Sequence, residues 1–180
     1  MASDSARHNI GERGYCLFVS NFNDYQMVHI RKIYQDKPTQ YGIALTHKEW
    51  KILISKTAKL TNLIDKMQKA LANGEKELES ETFPIGLRGI FSVITDFEGK
   101  LYIHVRKFND NGKPTKTGVS LTDKEFKELI DISKSVNIDM IIEEMQNKTK
   151  DTNVTTKQPA KRKSTEKSSS LKRKLFKATV

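Results

Sequence analysis

The side chains best placed to do chemistry in this chain are cations and aromatics set two residues apart. Lys100, Tyr102, His104 and Arg106 alternate with Leu101, Ile103 and Val105, and His29 and Arg31 alternate with Val28 and Ile30. A period of two belongs to a strand buried on one face, and it puts the polar set in a row on the other, about 6.5–7 Å apart. That step is close to the spacing of successive phosphates in an extended strand, so basic groups in the row can track a nucleic-acid backbone. Phe22, Tyr25 and Tyr34, and Phe97 and Tyr102, are interleaved with the cations and can stack on exposed bases. Lys37, Lys113 and Lys116 add charge from adjoining loops. The competing reading is an ordinary solvated strand face with some of the aromatics in the core.

Other chemistries find little support. His8, His29, His47 and His104 form no metal-spaced set, so no metal site is expected. The single cysteine, Cys16, excludes an intrachain disulfide framework and Cys-based zinc modules, and it reads as a buried small hydrophobe. Paired carboxylates such as Glu143-Glu144 look like solvated helix faces. There is no P-loop, dinucleotide fingerprint or nucleophile elbow, so neither catalysis nor a cofactor is expected.

The elements that must carry the row come from a duplication. Arg13-Gly14 matches Arg88-Gly89, Phe22 matches Phe97, and His29-Ile30-Arg31-Lys32 matches His104-Val105-Arg106-Lys107, all at an offset of 75. One extra loop residue raises the offset to 76. Lys37-Pro38-Thr39 then matches Lys113-Pro114-Thr115, Gly42-Ile43 matches Gly118-Val119, and Glu49-Trp50 matches Glu125-Phe126. Phe97-Glu98-Gly99-Lys100 and Asn111-Gly112 are hairpin signals. Thr46-x-x-Glu49 and Thr122-x-x-Glu125 are capping boxes that open a helix in each repeat. Trp50, Leu53, Ile54, Leu60, Ile64, Met67 and Leu71 make one amphipathic stripe. Phe126, Leu129, Ile130, Ile138, Ile141, Ile142 and Met145 make the other.

The expected organisation is α+β: a flexible N-terminus (1–12), a first repeat (13–72), an acidic linker (73–87), a second repeat (88–146) and a disordered basic tail (147–180). Each repeat is strands followed by one helix. A unit of about 60 residues has a marginal core, so two units are expected to cover each other's apolar surface.

The 180 residues carry a net charge of +10. Residues 146–180 hold eleven basic and two acidic side chains, a net +9, which leaves +1 for residues 1–145. Bulk charge therefore says little about the folded part. Two clusters in the tail, Lys161-Arg162-Lys163 and Lys172-Arg173-Lys174, are eight residues apart and resemble a bipartite nuclear-localisation signal. The bland alternative is a solubilising tail or a nonspecific phosphate-binding arm, and the two uses can coexist. Neither a secretory signal nor an apolar run of roughly 18 residues is present, so an intracellular protein without a membrane partner is expected.

Taken in order, Ile30-Arg31-Lys32-Ile33-Tyr34, Gly42-Ile43-Ala44-Leu45-Thr46 and Glu49-Trp50 resemble the positive cofactor four family of single-stranded-DNA-binding transcriptional coactivators. Val105-Arg106-Lys107-Phe108, Gly118-Val119-Ser120-Leu121-Thr122 and Glu125-Phe126 repeat the pattern, so the resemblance spans about two-thirds of the chain. It implies two units, each a curved antiparallel sheet followed by a helix and dimerised through the helices, with sheet grooves that hold unpaired strands. An intrachain pseudo-dimer or a homodimer would satisfy this. Phe22 and Phe97 would be the hairpin aromatics, Arg31 and Arg106 the central arginines, Lys100 the hairpin lysine and Tyr34 the stacking residue. Implied partners are single-stranded DNA, RNA or melted duplex, and the transcription machinery, in the nucleus. The chain departs from the family in carrying two units where single-chain members usually carry one. Hairpin lysines fall on Asn23 and Tyr25, and Asn109 stands where Tyr34 would repeat, so an asymmetric site is expected. Rival readings are an RNA-binding or genome-packaging protein using the same groove, and a protein-interaction scaffold whose tail alone touches nucleic acid.

Overall fold

The computed structural model describes residues 4–22, 25–75 and 81–154, the last six by backbone only. Strands β1 (His8–Ile10), β2 (Tyr15–Phe22), β3 (Tyr25–Tyr34) and β4 (Lys37–Thr46) form one antiparallel sheet in that order. Helix α1 (His47–Ala72) follows. Strands β5 (Thr82–Pro84), β6 (Ile90–Phe97), β7 (Lys100–Phe108) and β8 (Pro114–Thr122) form the second sheet, followed by α2 (Asp123–Ser135) and α3 (Ile138–Val154). The architecture is two tandem α+β units.

The alternation that marks the strands also builds the core. Leu17, Val19, Val28, Ile30, Ile43 and Leu45 are buried on one face of the first sheet, and Ile94, Ile103, Val105, Val119 and Leu121 on one face of the second. Thr46 and Thr122 accept from the backbone N–H of Glu49 and Glu125, and each glutamate accepts from its threonine's N–H, completing both capping boxes. Asn73 and Gly74 close α1; Gly74, at φ 78°, lets its own N–H and that of Glu75 reach the carbonyls of Leu71 and Ala70.

Four features differ from the sequence reading. Residues 8–10, expected in a flexible N-terminus, pair with β2, because Ile10 is fully buried. Residues 82–84, expected in the linker, pair with β6, where Phe83 and the following Ile85 are buried. The second repeat's helix is two helices. Val136 leaves α2 in an extended conformation, and the Asn137 side chain accepts from the Met140 N–H to start α3. Finally α3 runs to Val154, past the expected limit at 146. The break absorbs two residues: Ile138, Ile142 and Met145 repeat the buried Leu60, Ile64 and Met67 at an offset of 78 instead of 76.

Each helical segment crosses between the units. The α1 helix touches β3 and β4 of its own sheet and then β6 and β7 of the other. Helix α2 lies on β7 and β8 and against β1 of the other sheet, while α3 reaches back to β2 and β3. Strands β4 and β8 lie against each other where the sheets meet. Two ionic clamps fasten this arrangement. Arg13 donates through Nε to Glu125 Oε1 at 2.6 Å, through its other arm to Glu125 Oε2, and to the Ser120 carbonyl at 2.7 Å. Arg88 does the same to Glu49 and to the Ala44 carbonyl, with Nε–Oε1 also 2.6 Å. Each arginine thus holds the capping-box glutamate of the other repeat.

Candidate nucleic-acid interface

Opposite the buried face, the two sheets present matched rows. Cross-strand pairing places Phe18 beside His29 and Cys16 beside Arg31 in the first sheet, and Val93 beside His104 and Phe91 beside Arg106 in the second. A register shift follows each arginine, between Arg31 and Ile33 and between Arg106 and Phe108. Opposite them, a Cβ on Gly42 would fall 2.6 Å from the Arg31 Cα, and one on Gly118 2.8 Å from the Arg106 Cα. Glycine is therefore needed for the arginine stem to lie against the next strand. The guanidinium groups are anchored alike: Arg31 donates to the Thr39 carbonyl at 2.7 Å and Arg106 to the Thr115 carbonyl at 2.6 Å. Thr39 and Thr115 hydroxyls in turn donate to the Lys32 and Lys107 carbonyls. One of five donors fixes each arginine's direction. Both stay half-exposed.

The histidines in the rows are not cations at neutral pH. Burial, reinforced by the Arg31 charge, lowers His29 to about 4. Its ring stacks on Phe18 (centroids 4.7 Å apart, planes within 5°), and its Nε2 lies 2.8 Å from the Ser20 hydroxyl. His104 is lowered by burial and by Arg106. It sits between two hydroxyls, Thr95 Oγ1 at 2.8 Å from Nε2 and Ser120 Oγ at 3.1 Å from Nδ1. Ala44 replaces Ser120 in the first repeat, and His29 Nδ1 is buried without a partner among the described residues.

The aromatics take the strand ends. Phe22 and Tyr25 face each other across the β2–β3 hairpin, 64% and 74% exposed, and Phe97 is 62% exposed opposite Lys100. Tyr34 is exposed at the far end of β3, about 30 Å from Tyr25 along the strand. Tyr102 is half-buried in the second row, and Lys37, Lys100, Lys113 and Lys116 are all exposed. The candidate residues thus lie along tracks rather than around one pocket. Asn23 and the clusters at Lys161–Lys163 and Lys172–Lys174 lie outside the described residues. Sequence reading missed Arg7, whose guanidinium carbon sits 5.6 Å over the Phe18 ring, the exposed Tyr41, and the anchors Thr39 and Thr115. The matched Thr39 and Thr115 were a usable signal; Arg7 has no counterpart, since Thr82 stands at that offset. Among the described residues no helix is long and apolar enough to cross a membrane, and no cluster of His, Cys, Asp or Glu is fit to hold a metal ion.

Two antiparallel sheets with anchored arginines, exposed hairpin aromatics and helices on their buried faces define a protein of two tandem sheet-and-helix units. Residues 15–56 and 91–132 match the model of Transcriptional Coactivator p15 (PC4), each match covering three strands and the start of a helix, and the chain carries two tandem units of that family. The family is one of nucleic-acid-binding transcriptional coactivators and not of enzymes. No curated protein matches the chain.

Proposed function

We propose that this chain binds single-stranded DNA as a transcriptional coactivator or regulator, its two repeats acting as a pseudo-dimer within one chain. The observation that carries this is the matched pair Arg31 and Arg106. They are half-exposed at equivalent register shifts and aimed by equivalent backbone anchors inside the two family-matched segments. Phosphates would run along the two rows, met by Arg31, Arg106, Lys37, Lys100, Lys113 and Lys116. Bases would stack on Phe22, Tyr25, Tyr34, Phe97 and Tyr102. His29 and His104, neutral at pH 7, would act as walls and hydrogen-bonding supports. The reciprocal clamps support the pseudo-dimer, since each repeat needs the other to satisfy its buried glutamate. The tail clusters would direct the protein to the nucleus and lend loose attraction to polyanions.

Replacing Arg31 or Arg106 by alanine should each weaken binding to an oligothymidine strand and flatten the dependence of log K on log salt by about one unit. The double variant should lose about two units. An unchanged slope and affinity in the double variant would remove these arginines from the interface.

A further inference from the structure

The two rows differ at one position that decides what each can hold. In the first repeat Phe18 lies flat on His29, and Arg7 stands over the Phe18 ring. At the matching place the second repeat has Val93, and Thr82 replaces Arg7. Among the described residues no aromatic ring stacks on His104. A hollow of about 440 Å³ opens there, lined by Val93, His104, Arg106, Phe108, Pro114 and Lys116 together with Thr115. Phe91 packs edge to face on Phe108, ring centroids 5.4 Å apart.

We infer that this hollow receives one nucleobase of the bound single strand, lying on His104 as Phe18 lies on His29. The first repeat carries an internal plug, and the plug shows the shape that the floor accepts: a planar ring parallel to an imidazole. Walls from Val93, Phe108 and Pro114 suit the faces and edges of such a ring, while Arg106 and Lys116 on the rim suit the phosphates flanking it. The uncharged polar side chains around the hollow are already committed. Both His104 nitrogens face hydroxyls, the Thr115 carbonyl holds Arg106, and the Thr115 hydroxyl holds the Lys107 carbonyl. Binding there rests on stacking and contact, so it tolerates any base. The two repeats consequently hold a strand unequally, the second by a seated base and the first by its phosphates and hairpin aromatics. This rests on the single-strand reading above.

The test is a cycle between protein and strand. Val93→Phe supplies to the second repeat the ring that the first already has. The full-length variant should bind oligothymidine roughly five- to a hundredfold more weakly than the unaltered protein, and bind an equal-length strand of abasic sugars equally well. Equal loss on both strands, or no loss on either, would overturn the seated base. A second readout needs no variant: on adding oligothymidine, the ring-proton resonance of His104 should move upfield by stacking while that of His29 stays in place. Equal movement of both, or of neither in a protein that binds the strand, would also overturn it. Failure of the unaltered protein to bind oligothymidine at all would instead remove the single-strand reading itself.

Discussion

His29 and Arg31 are neighbours in one row, yet the fold gives them opposite electrostatic roles. Arg31 keeps its charge and is steered by the Thr39 carbonyl, whereas His29 is stripped of its proton by burial and by Arg31 itself. The folded value of about 4 lies below the ordinary 6.5, so His29 contributes stability in full above about pH 6.5 and loses that contribution as pH falls toward 4. A histidine-resolved NMR titration should place the His29 midpoint near 4, and the thermal midpoint should already decline between pH 6.5 and 5. A His29 midpoint at or above 6 would contradict its neutral, stacked state. The row was legible in the sequence because period-two alternation survives in both repeats. The protonation states were not, because they depend on Phe18, Ser20 and Ala44, which reach His29 only through strand pairing.

At the scale of elements, local signals told the truth and nonlocal ones were silent. Thr46-x-x-Glu49 and Thr122-x-x-Glu125 located both helix starts because a capping box is complete within four residues. The same glutamates also serve the partner repeat. Burial alone would raise them, but the hydrogen bonds from Arg88 and Arg13, with those from the threonine backbones, hold both below the usual carboxylate range. Arg13-Gly14 and Arg88-Gly89 were visible as a repeat match with no local task, and the clamp is that task. The matched Gly11 and Gly86 belong to it too. Both have positive φ, and a Cβ on either would fall 2.6 and 2.8 Å from the Cγ of Glu125 and Glu49 respectively. Removing one arginine strands a buried carboxylate, a loss smaller than the roughly 3–5 kcal/mol of fully buried pairs because the arginine side is half-exposed. Arg13→Ala and Arg88→Ala should each lower unfolding stability by about 2–3 kcal/mol in urea titrations at pH 7, with the difference narrowing as pH falls below the carboxylate range. A loss under about 0.5 kcal/mol from both would show that the clamps do not fasten the units. The split between α2 and α3 was hidden for a different reason. The stripe Phe126 to Met145 keeps its apolar spacing across Ser135-Val136-Asn137, so periodicity reads through a break that an Asn cap creates.

For the whole molecule, the net charge of +10 is mostly a property of residues 146–180, and the nearly balanced remainder works by placement. The duplication makes that placement possible. Neither sheet could cover its apolar face alone, and the crossing of α1 and α3 between units closes one shared core. The sequence carried this as two marginal units that must pack together. Which strands meet was not legible, because no motif in β4 or β8 marks them for the contact they make. If the folded units and not the tail select the ligand, the chain truncated after Val154 retains every described element and should retain the selectivity. The decisive measurement is binding of the full chain and of residues 1–154 to matched single-stranded and duplex DNA at moderate salt. Both should prefer the single strand by a similar ratio, with only overall affinity falling on loss of the tail. If residues 1–154 bind neither form, or bind duplex as well as single strand, the duplicated rows are not the interface.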